Sequence, residues 1–194
     1  MRVLVVGASG TIGKAVVEAL SRKHEVLRAS RRATISVDIT DADSIRKMYQ
    51  KVGTLDALVS CAGDASFGPL EKLSDADFAS SLRNKLMGQV NLVRMGVGAV
   101  RDGGSLTLTA GVFSQKPWPG VPLLALVNGA LESFVRAAAL DMPRGVRINV
   151  VSPPFIQETA EKMGLQGQLS AVENARAYVD LVEGSQTGTV VYPE

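Results

Sequence analysis

Apolar residues in this chain fall into short unbroken runs that alternate with stretches of helical period. Residues 2–6 carry Val3, Leu4, Val5 and Val6 without alternation, as a parallel strand buried on both faces would. Residues 11–22 then place Ile12, Val16, Val17 and Leu20 on one helical face. The same alternation predicts strands over 24–30, 34–37, 55–60, 105–109, 146–151 and 189–192. Helices are predicted over 41–50, 75–100, 123–141 and 172–182. Strand and helix alternating throughout predict an α/β fold: a doubly wound, Rossmann-like parallel sheet of about seven strands, helices on both faces, in three layers. No linker, repeat or low-complexity segment divides the chain, so residues 1–194 are expected to form a single domain.

Between the first strand and first helix stand Gly7, Gly10 and Gly13, in the spacing G-x-x-G-x-x-G. Such a turn brings backbone close to a pyrophosphate and aims free helix N–H groups and the positive dipole end at it. Gly7 is suited to a positive φ, Gly10 to phosphate access and Gly13 to close packing of helix on strand. A dinucleotide site is the expectation.

Composition narrows the field. Aromatics are only 5% of the residues, too few for a stacking surface that holds single-stranded nucleic acid. The net charge of +2 comes from scattered Lys and Arg, so neither nucleic acid nor an anionic membrane is expected as a partner. One cysteine, Cys61, forms no intramolecular disulfide, and with the one histidine makes no recognisable zinc set, so no metal is expected. His24, at the start of the second strand, reads as a surface residue. The first strand begins at Arg2 and no apolar run approaches the roughly 20 residues of a membrane span, so a cytoplasmic protein is expected.

The second strand ends at Ser30-Arg31-Arg32, where a dinucleotide fold holds the adenosine ribose. A carboxylate there would accept from a ribose hydroxyl, whereas guanidiniums offer paired donors to a phosphate. NADP is therefore expected over NAD.

Four further segments carry a resemblance: Asp38-Ile39 after the third strand, Cys61-Ala62-Gly63 after the fourth, Gly103-Gly104-Ser-Leu-Thr-Leu-Thr at the fifth, and Arg147-Ile-Asn-Val-Val-Ser-Pro153 at the sixth. With the glycine turn, they resemble the short-chain dehydrogenase/reductase family over essentially the whole chain. The resemblance implies that Gly7, Ser9, Gly10, Thr11, Ile12 and Gly13 surround the pyrophosphate, and that Arg31 faces the adenosine phosphate. It places Asp38 and Ile39 by the adenine, Cys61, Ala62 and Gly63 by the ribose, and Pro153 to Ile156 by the nicotinamide.

The family reduces carbonyls with a Ser that positions the substrate oxygen and a Tyr that exchanges the proton. A Lys one helical turn after the Tyr lowers its pKa, and an Asn on the preceding long helix completes the relay. Here those positions fall on Gly111, Leu124, Asn128 and Lys85, so none of the four types is kept. Lys85 and Asn128 exchange the family's Asn and Lys, which restores a cation to the site from the opposite wall. Thr109 completes the catalytic candidates, with Ser66, Ser114, Glu158 and Thr159 nearby; Tyr49, Tyr178 and Tyr192 are predicted on elements far from the fifth strand. The expected function is an NADP(H)-dependent oxidoreductase of a small carbonyl or alcohol substrate with an atypical site, the alternative being an inactive NADP(H)-binding sensor. The 75–100 and 123–141 helices are apolar on more than one side, which predicts a homodimer or homotetramer through them.

Overall fold

A computed structural model describes residues 1–194. Strands β1 (Arg2–Val6), β2 (Glu25–Ser30), β3 (Ile35–Ser36), β4 (Leu55–Ser60), β5 (Val100–Thr109), β6 (Arg147–Val151) and β7 (Val190–Val191) form one sheet in the order β3-β2-β1-β4-β5-β6-β7. Every neighbouring pair is parallel. The chain fills one half outward from β1, then returns to the other side of β1 with β4. The crevice over the carboxyl ends of β1 and β4 is thus the switch point at which such sheets take ligands.

Seven α-helices cover the sheet: α1 (Thr11–Leu20), α2 (Ala42–Val52), α3 (Asp75–Ser81), α4 (Gly88–Gly96), α5 (Pro122–Asp141), α6 (Gln157–Lys162) and α7 (Ala171–Glu183). Leu4 and Val6 of β1 join a core with α2, α4 and α5, while Val3 and Val5 join a second core with α1 and α7. That two-sided burial is why β1 shows no polar alternation.

Four local expectations are corrected. The predicted helix over 75–100 is broken: α3 runs into a π-helical turn over Leu82–Met87, then α4, then a 3₁₀ turn over Val97–Ala99. The fifth strand starts at Val100, so Gly103-Gly104 lies inside it; the pairing shifts register between Leu55 and Ala57, and a Cβ on Gly104 would sit 2.5 Å from Asp56 O. At 20 residues, α5 is long and apolar enough to cross a membrane by length and composition, although no such run was expected. Asn128 and Glu132 are buried on its sheet-facing side. His24 is covered, its side chain 9% exposed and its Nε2 3.0 Å from Glu183 Oε1.

Candidate active site

A cleft of about 680 Å³ opens at the switch point. Gly7 turns the chain out of β1 at φ +83, donating to Ala29 O at 2.9 Å. Any Cβ there would sit 2.7 Å from the backbone of Cys61 and Ala62, so only glycine lets the two turns meet. Gly13 is equally constrained from behind, because its Cβ would stand 2.1 Å from Gly7 O. Gly10 caps α1 with no side-chain partner for the first-turn N–H groups, leaving those donors and the dipole directed at the cleft.

Of the residues expected around a dinucleotide, Gly7, Ser9, Gly10 and Arg31 line this cleft. Asp38, Ile39, Ala62 and Gly63 line it too. Thr11, Ile12, Gly13, Cys61, Pro153 and Ile156 are not in its wall. Ile156 is buried in the α1–α7 core, and Cys61 packs against that core with its thiol pushed up to about 12 by burial. Pro153 O accepts from Val112 N at 2.9 Å.

At the adenosine end, Arg31 and Arg32 are exposed and neither pairs with a carboxylate. Asp38, the acid closest to this end, is occupied: its Oδ1 accepts from Thr40 N at 2.9 Å and Thr40 Oγ1 at 2.7 Å. Those two bonds, with Arg31 and Arg83 nearby, hold its carboxyl below the ordinary range. A glycine cradle, an uncapped helix start and two free guanidiniums together fit a dinucleotide carrying an additional phosphate.

At the other end, Lys85 rises from the π turn beneath Gly63, whose Cβ would stand 3.1 Å from Lys85 Cα. Its ammonium donates to Ala110 O at 3.1 Å. Burial pulls its pKa down to about 8, with the Asp64 carboxylate working in the opposite direction. Asn128, 1% exposed, approaches the same segment from α5: its Nδ2 lies 2.8 Å from where a Cβ on Gly111 would be, and its Oδ1 has no hydrogen-bond partner. Gly111 has φ 163, extended backbone open to any residue, and a Cβ at this expected serine position would press on the Asn128 amide, which would have to shift to admit it. Leu124, at the expected tyrosine position, is half-buried and has no exchangeable proton to give.

Thr109, expected among the catalytic groups, is occupied within the fold. Its hydroxyl donates to Ser60 O at 2.6 Å and lies 2.8 Å from Tyr178 OH, so it is committed within the fold. That bond also corrects the placing of Tyr178, which is fully buried against the end of β5, its pKa raised chiefly by burial. Tyr192 is likewise close to the site elements, its hydroxyl 3.0 Å from Glu132 Oε2. Glu158 is engaged in accepting from Ala171 N at the start of α7.

The structure adds two buried polar residues, Gln89 and Glu132. Gln89, fully buried, accepts from Thr109 N at 2.9 Å and donates to Thr109 O at 2.7 Å, fastening α4 to the end of β5. Glu132, 1% exposed, accepts from Ser114 Oγ and Ser152 Oγ, both at 2.6 Å, and from Tyr192 OH. Neither stands in a motif, but each is a polar residue at a buried helical position, which is the available signal.

A protein-family profile described as enoyl-(acyl carrier protein) reductase matches residues 2–189. Among curated proteins, the chain is 25% identical to "Glucose and ribitol dehydrogenase homolog 2" of Arabidopsis thaliana, over 91% of this chain and 70% of that protein. It is 28% identical to a trihydroxynaphthalene reductase of Colletotrichum orbiculare, over 79% of this chain and 64% of that protein. The match spans only 51% of the Aspergillus fumigatus hydroxynaphthalene reductase arp2. Among solved structures, the protein lin1944 from Listeria innocua is 43% identical with a TM-score of 0.95, covering 99% of this chain and 98% of that one. A small-chain dehydrogenase solved in complex with NADPH is 25% identical with a TM-score of 0.90, covering 100% of this chain and 96% of that one.

Proposed function

The chain belongs to the short-chain dehydrogenase/reductase family, and on that premise we propose that it is an NADP(H)-dependent oxidoreductase interconverting a small carbonyl compound and its alcohol, with Lys85 as the proton-carrying group. The observation that carries this reading is the convergence of Lys85 and Asn128 on the Ala110–Gly111 segment. The NADPH complex of the similar small-chain dehydrogenase and the free Arg31–Arg32 pair support NADP over NAD.

When bound, the nicotinamide supplies or accepts the hydride. The chain's own groups manage the oxygen. In the reducing direction the carbonyl carbon gains a hydride and its oxygen becomes alkoxide-like, which calls for a donor within hydrogen-bond reach. The Lys85 ammonium is such a donor, because a pKa of about 8 lets it release a proton near neutral pH. The Lys85 proton passes to the alkoxide oxygen, leaving a neutral amine that takes up a proton again before the next turnover. The Asn128 amide takes over the orienting role of the missing serine, with Nδ2 as donor to the substrate oxygen.

The test is to titrate NADPH and NADH into the purified protein and follow NADPH oxidation with a panel of carbonyl compounds. NADPH should bind at least about tenfold tighter than NADH, and turnover should vanish in Gly7→Asp. Binding of neither coenzyme refutes the reading. A second reading, an NADP(H)-responsive sensor without turnover, draws on Gly111 and Leu124 at the serine and tyrosine positions. Coenzyme binding without turnover of any carbonyl, together with a partner captured by only the NADP⁺ or only the NADPH form, selects it.

We also propose a cytoplasmic homodimer or homotetramer. A groove of about 300 Å³ between α4 and α5 is lined by six apolar residues, among them Val93, Phe134 and Met142, together with Arg94 and Asp141. On α5, Leu126 is 48% exposed and Leu140 88% exposed, apolar surface that a second copy would cover.

A further inference from the structure

The aromatic residues are distributed against the usual logic of a core. No Phe or Trp is buried; the interior is aliphatic apart from Tyr49 and Tyr178. Of five Phe and one Trp in the chain, Phe67, Phe113, Trp118 and Phe155 all lie on segments that follow the carboxyl ends of β4, β5 and β6. Phe67 is 59% exposed and Trp118 44% exposed. Four of the chain's six Phe and Trp rings thus collect around one edge of the sheet, and two of them are exposed there.

Three of the rings form a wall. Phe113 and Trp118 have centroids 4.8 Å apart at 42°, Trp118 meets Phe155 edge-on at 5.4 Å and 86°, and Phe113 lies 6.2 Å from Phe155. Their loops are braced to one another: Val112 N donates to Pro153 O at 2.9 Å, and Gly68 N to Gly120 O at 2.7 Å. Ser114 Oγ, next to Phe113, is fixed on Glu132 Oε1 at 2.6 Å. A braced wall loses little side-chain entropy when a ligand packs on it. The wall begins two residues beyond Gly111, where Lys85 and Asn128 provide the polar end.

We propose that Phe113, Trp118 and Phe155 are the substrate-recognition wall, and that the substrate is a planar aryl carbonyl compound whose ring stacks there while its oxygen faces Lys85 and Asn128. This rests on the oxidoreductase reading for the fate of the carbonyl, but the wall itself is measurable without turnover. Trp118 is the only tryptophan, so its fluorescence reports the site directly.

The experiment titrates acetophenone and its ring-saturated counterpart, cyclohexyl methyl ketone, into the full-length protein with and without saturating NADP⁺, following Trp118 emission and heat. Acetophenone should quench Trp118 and bind about tenfold tighter than the saturated ketone. In Trp118→Leu and Phe155→Leu, followed by calorimetry, the preference should fall to within about twofold. The half-exposed Trp118 can be replaced without opening the core, and the unchanged far-ultraviolet dichroism of the variant verifies the fold. Equal affinity for the two ketones overturns the proposal, as does a preference that survives both substitutions. A change of oligomeric mass in Trp118→Leu with ketone affinity untouched also overturns it, assigning the rings to a subunit contact. NADP⁺ binding is titrated first on its own: its failure removes the oxidoreductase reading, while the ketone preference of the free protein still decides the wall.

Discussion

The Lys85 ammonium lies 3.1 Å from the carbonyl oxygen of Ala110, one residue before the glycine that occupies the expected serine position. A cation so placed can hand a proton to a substrate oxygen held over Gly111. Replacing it with an isostere of similar length, Lys85→Met, should lower kcat for carbonyl reduction about 100-fold or more while NADPH affinity changes by less than about threefold. Stopped-flow turnover and coenzyme titration on the same preparation separate the two effects.

The titration of Lys85 fixes the sign of the pH dependence. Burial brings its pKa from the ordinary 10.5 to about 8, so the ammonium needed for reduction prevails below about 8. Reductive kcat/KM should fall about tenfold per pH unit above that point, and the oxidative rate should rise with pH until it levels off there. In the unfolded chain the lysine keeps its proton up to about 10.5, so the unfolded state binds more protons between about 8 and 10.5. This lysine therefore makes stability rise with pH across that window, and Lys85→Met should remove the rise from a series of denaturant midpoints.

Arg31 stands in the cleft wall with no carboxylate partner of its own. Loss of a charge-assisted bond to a phosphate costs about 1.5–3 kcal/mol, or roughly 10–100-fold in affinity. Arg31→Ser should weaken NADPH binding by that factor and leave NADH binding where it was. Equal weakening of both coenzymes would place Arg31 elsewhere in the site.

Much of this arrangement was legible in the chain. The run Val3 to Val6, followed at once by glycines at 7, 10 and 13, announces strand, turn and helix because each choice is forced by burial or close approach. The break in the 75–100 helix was not legible. Phe78, Leu82, Leu86, Val90 and Val93 keep an ordinary helical spacing through it, and the widened turn accompanies contacts made from afar: Gly88 against Ile39, Gln89 against Thr109. Tyr178 is separated by 69 positions from the Thr109 hydroxyl it meets, so only the folding of α7 onto the sheet joins them. The absence of a side chain at 111 reads in the sequence as a lost serine, whereas in space it makes room for Asn128.

Glu132 gathers Ser114, Ser152 and Tyr192 around one buried carboxylate. Glu132→Leu would leave three hydroxyls without their acceptor and should cost about 3 kcal/mol, or roughly 6–12 °C in Tm for a chain of this size. Glu132→Gln, which keeps an acceptor oxygen, should lose less than half of that. Differential scanning calorimetry orders the three proteins.

The exposed Ala137 borders the groove between α4 and α5. Ala137→Arg should turn the proposed dimer or tetramer into a smaller species without lowering helix content. Multi-angle light scattering at micromolar concentration reads the mass, and a wild-type monomer there would end the idea.

The π turn at Leu82–Met87 holds one residue more per revolution than the α-helix on either side. Shortening this stretch by a single codon would let it relax into ordinary helix with the flanking helices still in phase, because only the surplus residue of one revolution is lost. Lys85 lies inside the turn that would be rewound, so its amine would be re-aimed away from Ala110, while Gly88 beyond the turn would keep its seat on Ile39. The surplus residue is therefore the device that aims the amine, and its loss would cost that aim without unseating the helix that follows.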